Sequence, residues 1–169
     1  RWGLLPFWAK EKNVGYSMIN ARAETLDTKR SYKPYFKEKR CLVPASGFYE
    51  WKGEKGNKIP HYIHPIHEPL FAFAGLYSVW ESPDGSEKIP TYTIITTDAN
   101  EKMKELHDRM PAMLLKNEWE TWLDPNNHDT AALKDLLDPF PDDAIEYYQV
   151  SKKVGNVRNN SEELIKPRE

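Results

Sequence analysis

The spacing of prolines and glycines constrains the fold of this chain more than any other feature. Thirteen prolines and eight glycines are scattered along 169 residues, and a proline inside a helix or a central strand removes a backbone hydrogen bond. The segments between these residues are short, so the pattern favours short strands and short helices. No apolar run approaches the roughly 20 residues of a membrane-spanning helix, and we expect no membrane partner.

Several of the short segments have the composition of β-strands. Leu70–Trp80 is a nearly continuous apolar and aromatic run, typical of a strand that is buried on both faces. Thr91–Thr97 is rich in β-branched residues, which favour strands. Further strands are predicted within Arg40–Trp51, Ile59–His64 and Ile145–Ser151.

Three short helices are predicted between the last two strands. Asp98 is the expected N-cap of a helix that extends to Leu106, Asn117 is the expected N-cap of Glu118–Leu123, and Thr130–Leu137 forms the third helix. Strands followed by helices and then by another strand predict an α+β fold. We therefore expect a single domain over residues 1–169, in which a curved, barrel-like mixed β-sheet is flanked by short helices.

The single cysteine, Cys41, excludes an internal disulfide and a paired-cysteine zinc or redox site. A buried structural thiol and a reactive nucleophile are both compatible with its sequence context. No signal segment is visible, so a cytoplasmic location is expected. The chain opens at Arg1 rather than at a methionine, and we expect an N-terminal segment of the domain to precede it.

Positive charge is concentrated in the first third of the chain. The net charge is only −2, but residues 1–60 contain 13 Lys and Arg against 6 Asp and Glu, whereas residues 61–149 contain 6 against 17. Aromatic residues are interleaved with these basic residues: Trp2, Phe7, Trp8, Tyr16, Tyr32, Tyr35 and Phe36. Such a segment can follow a phosphate backbone and stack bases. It can equally be a solvated charged surface over an ordinary aromatic core.

Three histidines at regular spacing, His61, His64 and His67, suggest a metal site. The prolines among them exclude a helix, and in a strand His61 and His67 would point to one face and His64 to the other. We therefore predict no metal ion and no cofactor here, but an edge strand with exposed imidazoles.

Two titratable residues lie in contexts suited to acid–base chemistry. Glu50 lies among the aromatic residues of segment 47–51, where desolvation would raise its pKa and suit it to act as a general acid. The alternative is that Glu50 turns outward to water. His107 is followed by Asp108 and Arg109, which could fix its tautomer; the alternative is a histidine that is merely exposed.

The segment 18–25 alternates polar and small residues. As a strand it would direct Asn20, Arg22 and Glu24 to one face. Asn20 and Arg22 could then hold an anion or a carbonyl group. The alternative is a strand edge whose charges form salt bridges.

Three of these segments occur together and in a fixed order: 19–25 (Ile-Asn-Ala-Arg-Ala-Glu-Thr), 47–51 (Gly-Phe-Tyr-Glu-Trp) and 106–111 (Leu-His-Asp-Arg-Met-Pro). The ordered set resembles the SOS response-associated peptidase (SRAP) family, whose members shield abasic sites in single-stranded DNA. The resemblance extends through nearly the whole chain. It implies a mixed α+β domain around a curved, barrel-like sheet.

The chemistry that the resemblance implies centres on a cysteine at the mature N-terminus, exposed when the initiator methionine is removed by the protein's own peptidase activity. The α-amine attacks the aldehyde of an abasic sugar, and the thiol then closes a thiazolidine ring. The family's N-terminal Cys-Gly-Arg motif has no match in residues 1–169, and Cys41 is internal. The nucleophile is therefore expected upstream of Arg1.

The resemblance also implies roles for three residues of the catalytic site. Asn20 would form hydrogen bonds near the reacting cysteine and sugar. Glu50 would transfer protons during methionine removal and opening of the sugar ring. His107 would assist formation of the Schiff base.

For DNA binding, the resemblance implies that Arg22 holds a phosphate, and that Trp8 and Arg30 stack on a base and bind the backbone, with Lys33 beside the site. The expected partner is single-stranded DNA with abasic sites, bound by a monomer that associates with the nucleoid after DNA damage. Two other functions remain open from the residues alone: a non-catalytic single-stranded DNA-binding module, and a peptidase that uses Glu50 and His107 without DNA.

Overall fold

Two β-sheets that face each other organise the chain, in a computed structural model that describes residues 1–168. The strands are β1 (Asn20–Arg22), β2 (Arg40–Ala45), β3 (Phe48–Lys52), β4 (Ile59–Pro65), β5 (Phe71–Glu81), β6 (Lys88–Asp98), β7 (Arg109–Pro111), β8 (Met113–Leu114) and β9 (Ile145–Gln149). The α-helices are α1 (Lys33–Glu38), α2 (Glu101–Lys104), α3 (Trp119–Leu123) and α4 (Thr130–Asp135). Short 3₁₀ turns cover Lys12–Ser17, Ala23–Thr25, Lys116–Glu118, Asp142–Ala144, Lys152–Gly155 and Glu162–Ile165.

The larger sheet has the strand order β1-β6-β5-β2, with β7 also paired to β6 and β8 to β5. β1 runs parallel to β6, and the other pairs are antiparallel, so the sheet is mixed. Its centre is the long β5–β6 hairpin. The hairpin closes at Gly85, which has a φ of 72°, a conformation that glycine adopts without steric cost.

The smaller sheet is antiparallel and has the order β3-β4-β9. Its side chains pack against one side of the larger sheet, and we call the two facing sides the inner faces. A shared apolar core fills the space between them, and its members include Phe48, Ile63, Phe71, Phe73, Ile94, Met110, Met113 and Ile145. The rings of Phe48 and Phe73, one from each sheet, lie edge to face at 5.8 Å.

The other side of the larger sheet is covered by α1, α3 and α4 and by the first residues of the chain. Phe36 of α1, Trp122 of α3 and Leu133 of α4 pack with Leu76 and Ile95 of the sheet. α4 begins at Asp129, whose carboxylate accepts hydrogen bonds from two backbone N–H groups of the first turn. The α+β prediction, with a curved sheet and few short helices, is confirmed.

Several local predictions need correction. The run Leu70–Trp80 is buried on both faces only from Phe71 to Leu76. Leu70 before this stretch and Tyr77 and Val79 after it are 43%, 40% and 54% exposed. The segment Arg40–Trp51, predicted as a strand that enters a turn, contains two strands, β2 and β3, which are separated at Gly47. A Cβ atom there would lie 2.3 Å from the ring of Tyr62, so this close approach requires glycine.

Two helix caps were also predicted wrongly. Asn100, not Asp98, caps α2, because its side chain accepts from the N–H of Met103, and the helix ends at Lys104. Before α3, Glu118 accepts from the N–H of Leu115, so the helical turn begins at Lys116, ahead of the predicted cap Asn117. α1 lacked a strong sequence signal. Within residues 1–168, no helix is both long and apolar enough to cross a membrane.

Candidate functional site

Asn20 and Arg22 project from the inner face of the larger sheet. β1 pairs in parallel with β6, with Asn20 opposite Ile94 and Arg22 opposite Thr96. Residues opposite each other in a sheet point to the same face, and Ile94 belongs to the core between the sheets. Both polar residues are exposed, so they lie at the rim of the space that the sheets enclose.

Glu50 lies on the inner face of the smaller sheet. Phe48, two residues earlier on β3, packs in the core between the sheets, and alternation places Glu50 on the same face. Burial raises the pKa of Glu50 above its ordinary value, and the charges of His107 and Lys58 act in the opposite direction. The outward orientation considered for Glu50 is therefore not the one observed.

His107 lies between α2 and β7. Its Nδ1 atom is 3.0 Å from the backbone N–H of Arg109 and 3.0 Å from Oδ1 of Asp108. In the neutral imidazole, Nδ1 can accept from Arg109, which leaves the proton on Nε2. In the protonated imidazole, Nδ1–H can instead face the carboxylate of Asp108. Its two chain neighbours thus offer a partner for either protonation state.

The structure therefore brings together residues from three separate segments. Arg22, Thr96 and Pro111 lie side by side on β1, β6 and β7, and β7 begins two residues after His107. His107 in turn lies close enough to Glu50 for its charge to influence that carboxyl group. A guanidinium, a carboxyl group and an imidazole consequently share one side of the molecule.

Arg109 forms the densest polar cluster near this site. Its guanidinium donates to both carboxylate oxygens of Glu24, at 2.5 and 3.1 Å, to Asp98 at 2.6 Å and to the backbone oxygen of Thr96 at 2.7 Å. Burial alone would lower the pKa of Arg109, but the two carboxylates raise it. Glu24 thus fits the salt-bridge alternative for segment 18–25, and it lies just beyond β1, in the turn Ala23–Thr25.

Sequence reasoning missed a cluster of Tyr147, Glu105 and His61 on this side of the smaller sheet. It predicted an exposed His61 on an edge strand, whereas β4 is the central strand of this sheet and His61 is partly buried. The hydroxyl of Tyr147 donates to Glu105 at 2.7 Å, and burial together with this bond raises the pKa of Tyr147 to about 12. The ring of His61 lies edge to face with Tyr147 at 5.7 Å, and His61 pairs with Glu50. Alternation along β9 could have indicated an inward Tyr147, but nothing in the sequence links it to Glu105.

Three other predicted DNA-binding residues lie outside the two sheets. Trp8 is 42% exposed, in the loop beside Ala9, whose carbonyl accepts from Trp80 near the tip of the β5–β6 hairpin. Arg30 is exposed in the turn before α1. Lys33 lies with Asp27 along a small cavity of about 260 Å³ next to α4.

Neither the histidine run nor Cys41 forms a reactive centre. His61 is on the inner face, whereas His64 stacks on Tyr62 on the opposite face, and His67 lies beyond the end of β4. Within the described residues, no group of three or more His, Cys, Asp or Glu could hold a metal ion. Burial raises the pKa of Cys41 to about 11, so its nucleophilic thiolate form is scarce at neutral pH.

Comparison with known proteins places this geometry in a family. The family model described as SOS response associated peptidase (SRAP) matches residues 1–157. The chain belongs to the SRAP family. The resemblance predicted from the three ordered segments is thereby confirmed.

Several SRAP relatives are similar over nearly the whole chain. "Abasic site processing protein YoqW" of Bacillus subtilis is 50% identical over 166 residues, which cover 98% of this chain and 74% of that protein. "Abasic site processing protein HMCES" of Gallus gallus is 39% identical, over 99% of this chain and 56% of that protein.

Solved structures agree with the SRAP fold described above. A crystal structure of a Bacteroides thetaiotaomicron protein superimposes with a TM-score of 0.91 at 35% identity, over 99% of this chain and 75% of that one. A Bordetella bronchiseptica protein, at 23% identity and a TM-score of 0.76, shares the fold over 89% of this chain and 75% of its own.

Proposed function

We propose that this SRAP-family chain binds single-stranded DNA and acts on abasic sites within it. The relatives named as abasic site processing proteins support this proposal. The structural observation that carries it is the meeting of Glu50 and His107 beside the inner-face residues Asn20 and Arg22. An abasic sugar needs such a set, because its ring must open and its aldehyde oxygen must be polarised.

The proposed product is a thiazolidine crosslink to an N-terminal cysteine. Residues 1–169 do not contain this cysteine. The α-amine adds to C1′ of the open sugar, and loss of water gives the imine. The thiol then adds to the same carbon, forming the C–S bond while its proton passes to the nitrogen. One water leaves overall, and no oxidant or metal is consumed. An α-amine has a pKa of about 8, so part of it is a free nucleophile at neutral pH.

Glu50 is proposed as the proton carrier. Its raised pKa favours a protonated carboxyl that can deliver a proton to the ring oxygen O4′ as the C1′–O4′ bond breaks. His107 can then polarise the aldehyde oxygen through Nε2, because Nδ1 is occupied by its chain neighbours. Asn20 would orient the sugar and the cysteine from the opposite sheet.

Arg22 is the proposed phosphate contact at the reacting sugar. It is exposed, and within the described residues it forms no ion pair, unlike Arg109. Trp8, Arg30 and Lys33 lie outside the two sheets that carry Asn20, Arg22 and Glu50, and we assign them to the flanking DNA. Peptidase removal of an initiator methionine would use Glu50 and His107 before any DNA is bound, since it frees the reacting amine.

The test is a denaturing gel with an abasic single-stranded oligonucleotide. A protein that carries an N-terminal cysteine ahead of Arg1 should crosslink, whereas residues 1–169 alone should not. Glu50→Gln should slow the crosslink by about 10²–10⁴ without abolishing it, because losing one general acid leaves proximity effects intact. A matched control is Glu120→Gln, an equal change at an exposed carboxylate of α3.

Several outcomes would contradict the proposal. An equal yield from residues 1–169 that survives Cys41→Ala would place the nucleophile elsewhere. DNA retention with no crosslink from any form would indicate a non-catalytic binding module. Peptide hydrolysis that single-stranded DNA does not inhibit would indicate a peptidase that works without DNA.

A further inference from the structure

A second cavity lies on the side of the smaller sheet that faces away from the core. Its volume is about 360 Å³, and it lies at the turn between β3 and β4. Trp51 forms one wall, and Lys55, Lys58 and Lys152 surround it. Trp51 follows Glu50 on β3 and therefore points to the opposite face.

The three lysines are available to a negatively charged ligand. All three are exposed, and the ion pairs formed within residues 1–168 include none of them. Lys152 is held toward the turn by a hydrogen bond from Nζ to Asn57 at 3.3 Å. Glu54 is the only acidic residue between positions 51 and 58, so the cavity has a positive excess.

An aromatic wall ringed by cations matches a nucleotide better than other anionic ligands. Bases stack on aromatic side chains without strong sequence preference, while lysines neutralise the backbone phosphates. An acidic peptide would satisfy the lysines but would leave the face of Trp51 without a partner of similar shape. The partly exposed indole thus favours single-stranded nucleic acid.

The cavity and Glu50 lie on opposite faces of the same strand, β3, because the cavity residue Trp51 directly follows Glu50. β3 is the edge strand in the order β3-β4-β9, so a bound chain can pass over it from one face to the other. Lys58 lines the cavity, yet its charge also reaches Glu50. The two sites are therefore neighbours, although they lie on opposite faces.

We propose that single-stranded DNA held at Glu50 crosses the β3 edge, stacks a base on Trp51 and places phosphates against Lys55, Lys58 and Lys152. This inference rests on the proposed function, and it adds a path for the DNA that flanks the abasic site. It extends the footprint beyond the reacting sugar.

The test compares noncovalent binding of two oligonucleotides that contain a tetrahydrofuran abasic analogue, which has no aldehyde. The short one fills only the Glu50 site, and the long one extends on both sides of it. Binding is followed by fluorescence anisotropy over a range of salt concentrations. The variant is Lys55→Glu/Lys152→Glu, which leaves Lys58 and its influence on Glu50 unchanged. Its control is Lys39→Glu/Lys116→Glu, an equal charge change at exposed lysines elsewhere that also form no ion pair within residues 1–168.

The variant should bind the long oligonucleotide at least tenfold more weakly than wild type. The slope of log affinity against log salt concentration should become shallower by about 1.4, because two phosphate contacts are lost and each contributes about 0.7. Trp51→Ala should weaken the long oligonucleotide about fivefold or more. The short oligonucleotide and the yield of covalent crosslink to short abasic DNA should stay unchanged for the lysine variant.

Three results would overturn the inference. The variant could bind the long oligonucleotide as tightly as wild type, it could lose the same affinity for both lengths, or the control variant could lose as much affinity as the test variant. Effective competition by polyglutamate at the same salt concentration would also overturn it, because it would show simple charge attraction. Failure of the proposed function is distinguishable: the N-terminal cysteine form would then give no crosslink with the short abasic DNA either.

Discussion

Two arginines, Arg40 and Arg109, anchor opposite sides of the larger sheet in different ways. Arg40, only 7% exposed, donates all five of its N–H groups to backbone carbonyls of α1, of α3 and of the loop after α3. Arg109, beside the candidate site, instead holds the carboxylates of Glu24 and Asp98. Burial lowers the pKa of Arg40, whereas the carboxylates raise that of Arg109.

The difference separates a structural role from an electrostatic one. Arg40 completes the hydrogen bonds of helix ends that would otherwise lack donors. The carbonyl dipoles stabilise its charge, to which the nearby carboxylate of Asp124 also contributes. Arg109 neutralises carboxylates at the rim, where an anionic DNA backbone would otherwise be repelled. We therefore expect loss of Arg40 to affect folding and loss of Arg109 to affect binding.

The largest effect on stability is expected for Arg40→Met. Removing the guanidinium leaves several carbonyls without donors, at about 1–3 kcal/mol for each buried group, so the free energy of unfolding should fall by about 3 kcal/mol. Urea unfolding followed by tryptophan fluorescence measures this. If Arg40→Met lowered the free energy of unfolding no more than Arg109→Met does, the distinction between a structural Arg40 and an electrostatic Arg109 would be wrong.

Arg109→Met should lower the free energy of unfolding by about 1 kcal/mol, because its ion pairs involve exposed carboxylates. Its larger effect should be on DNA binding, because two carboxylates lose their positive partner and repel the phosphates. Affinity for single-stranded DNA should therefore be lower than that of wild type at low salt, and the difference should shrink at high salt, which screens the repulsion. Unchanged affinity at low salt would contradict an electrostatic role at the rim.

The carboxylates Glu24 and Glu50 should give stability opposite dependences on pH. Arg109 lowers the pKa of Glu24, so its contribution is complete above the ordinary glutamate pKa and is lost as the pH falls through the lowered value. Burial raises the pKa of Glu50, so the folded state retains a proton, and stability falls as the pH rises from the ordinary value to the raised one.

Two variants separate these contributions in urea titrations across the acidic range. Glu24→Gln should remove part of the loss on acidification. Glu50→Gln should remove the decline above the ordinary glutamate pKa and be more stable than wild type at neutral pH. The sign argued for Glu50 would be wrong if wild-type stability rose with pH between the ordinary glutamate pKa and the raised pKa of Glu50, and if this rise were absent in Glu50→Gln.

The sequence contained enough to place the main polar residues of the site. Alternation predicted that Asn20 and Arg22 share a face, and the aromatic context of Glu50 predicted the burial that raises its pKa. His107 was indicated by its own neighbours, which lie within two residues. In each case the signal was local, so it could be read along the chain.

Contacts between distant segments could not be predicted in this way. Glu24 is 85 residues from Arg109, and Arg40 is 82 residues from Trp122; such pairs depend on how the sheets fold together. The basic first third of the chain likewise gave no indication that Lys33 lies beside Asp27 near α4, away from Glu50. Composition shows that a segment has an excess of positive charge, but it does not show on which face of the folded molecule that charge lies.

The smallest effect is expected for Tyr147→Phe, on the inner face, and Tyr148→Phe offers a matched control on the opposite face. Tyr147 donates to Glu105, and Tyr148 donates to the carbonyl of Ile165 at 2.7 Å. Each loses one partly exposed hydrogen bond, so the free energy of unfolding should fall by about 0.5–1 kcal/mol in both.

Crosslinking separates the two positions. With a pKa of about 12, Tyr147 keeps its proton at neutral pH and directs it to Glu105, so it is unsuited to act as a base. The ring, which contacts His61, remains in Tyr147→Phe. In the N-terminal cysteine form, Tyr147→Phe and Tyr148→Phe should therefore crosslink at rates within about threefold of each other. This difference is far smaller than the rate loss of about 10²–10⁴ expected when a general acid is removed. A tenfold or greater loss confined to Tyr147→Phe would place its hydroxyl in the chemistry and extend the reactive site along the inner face to β9.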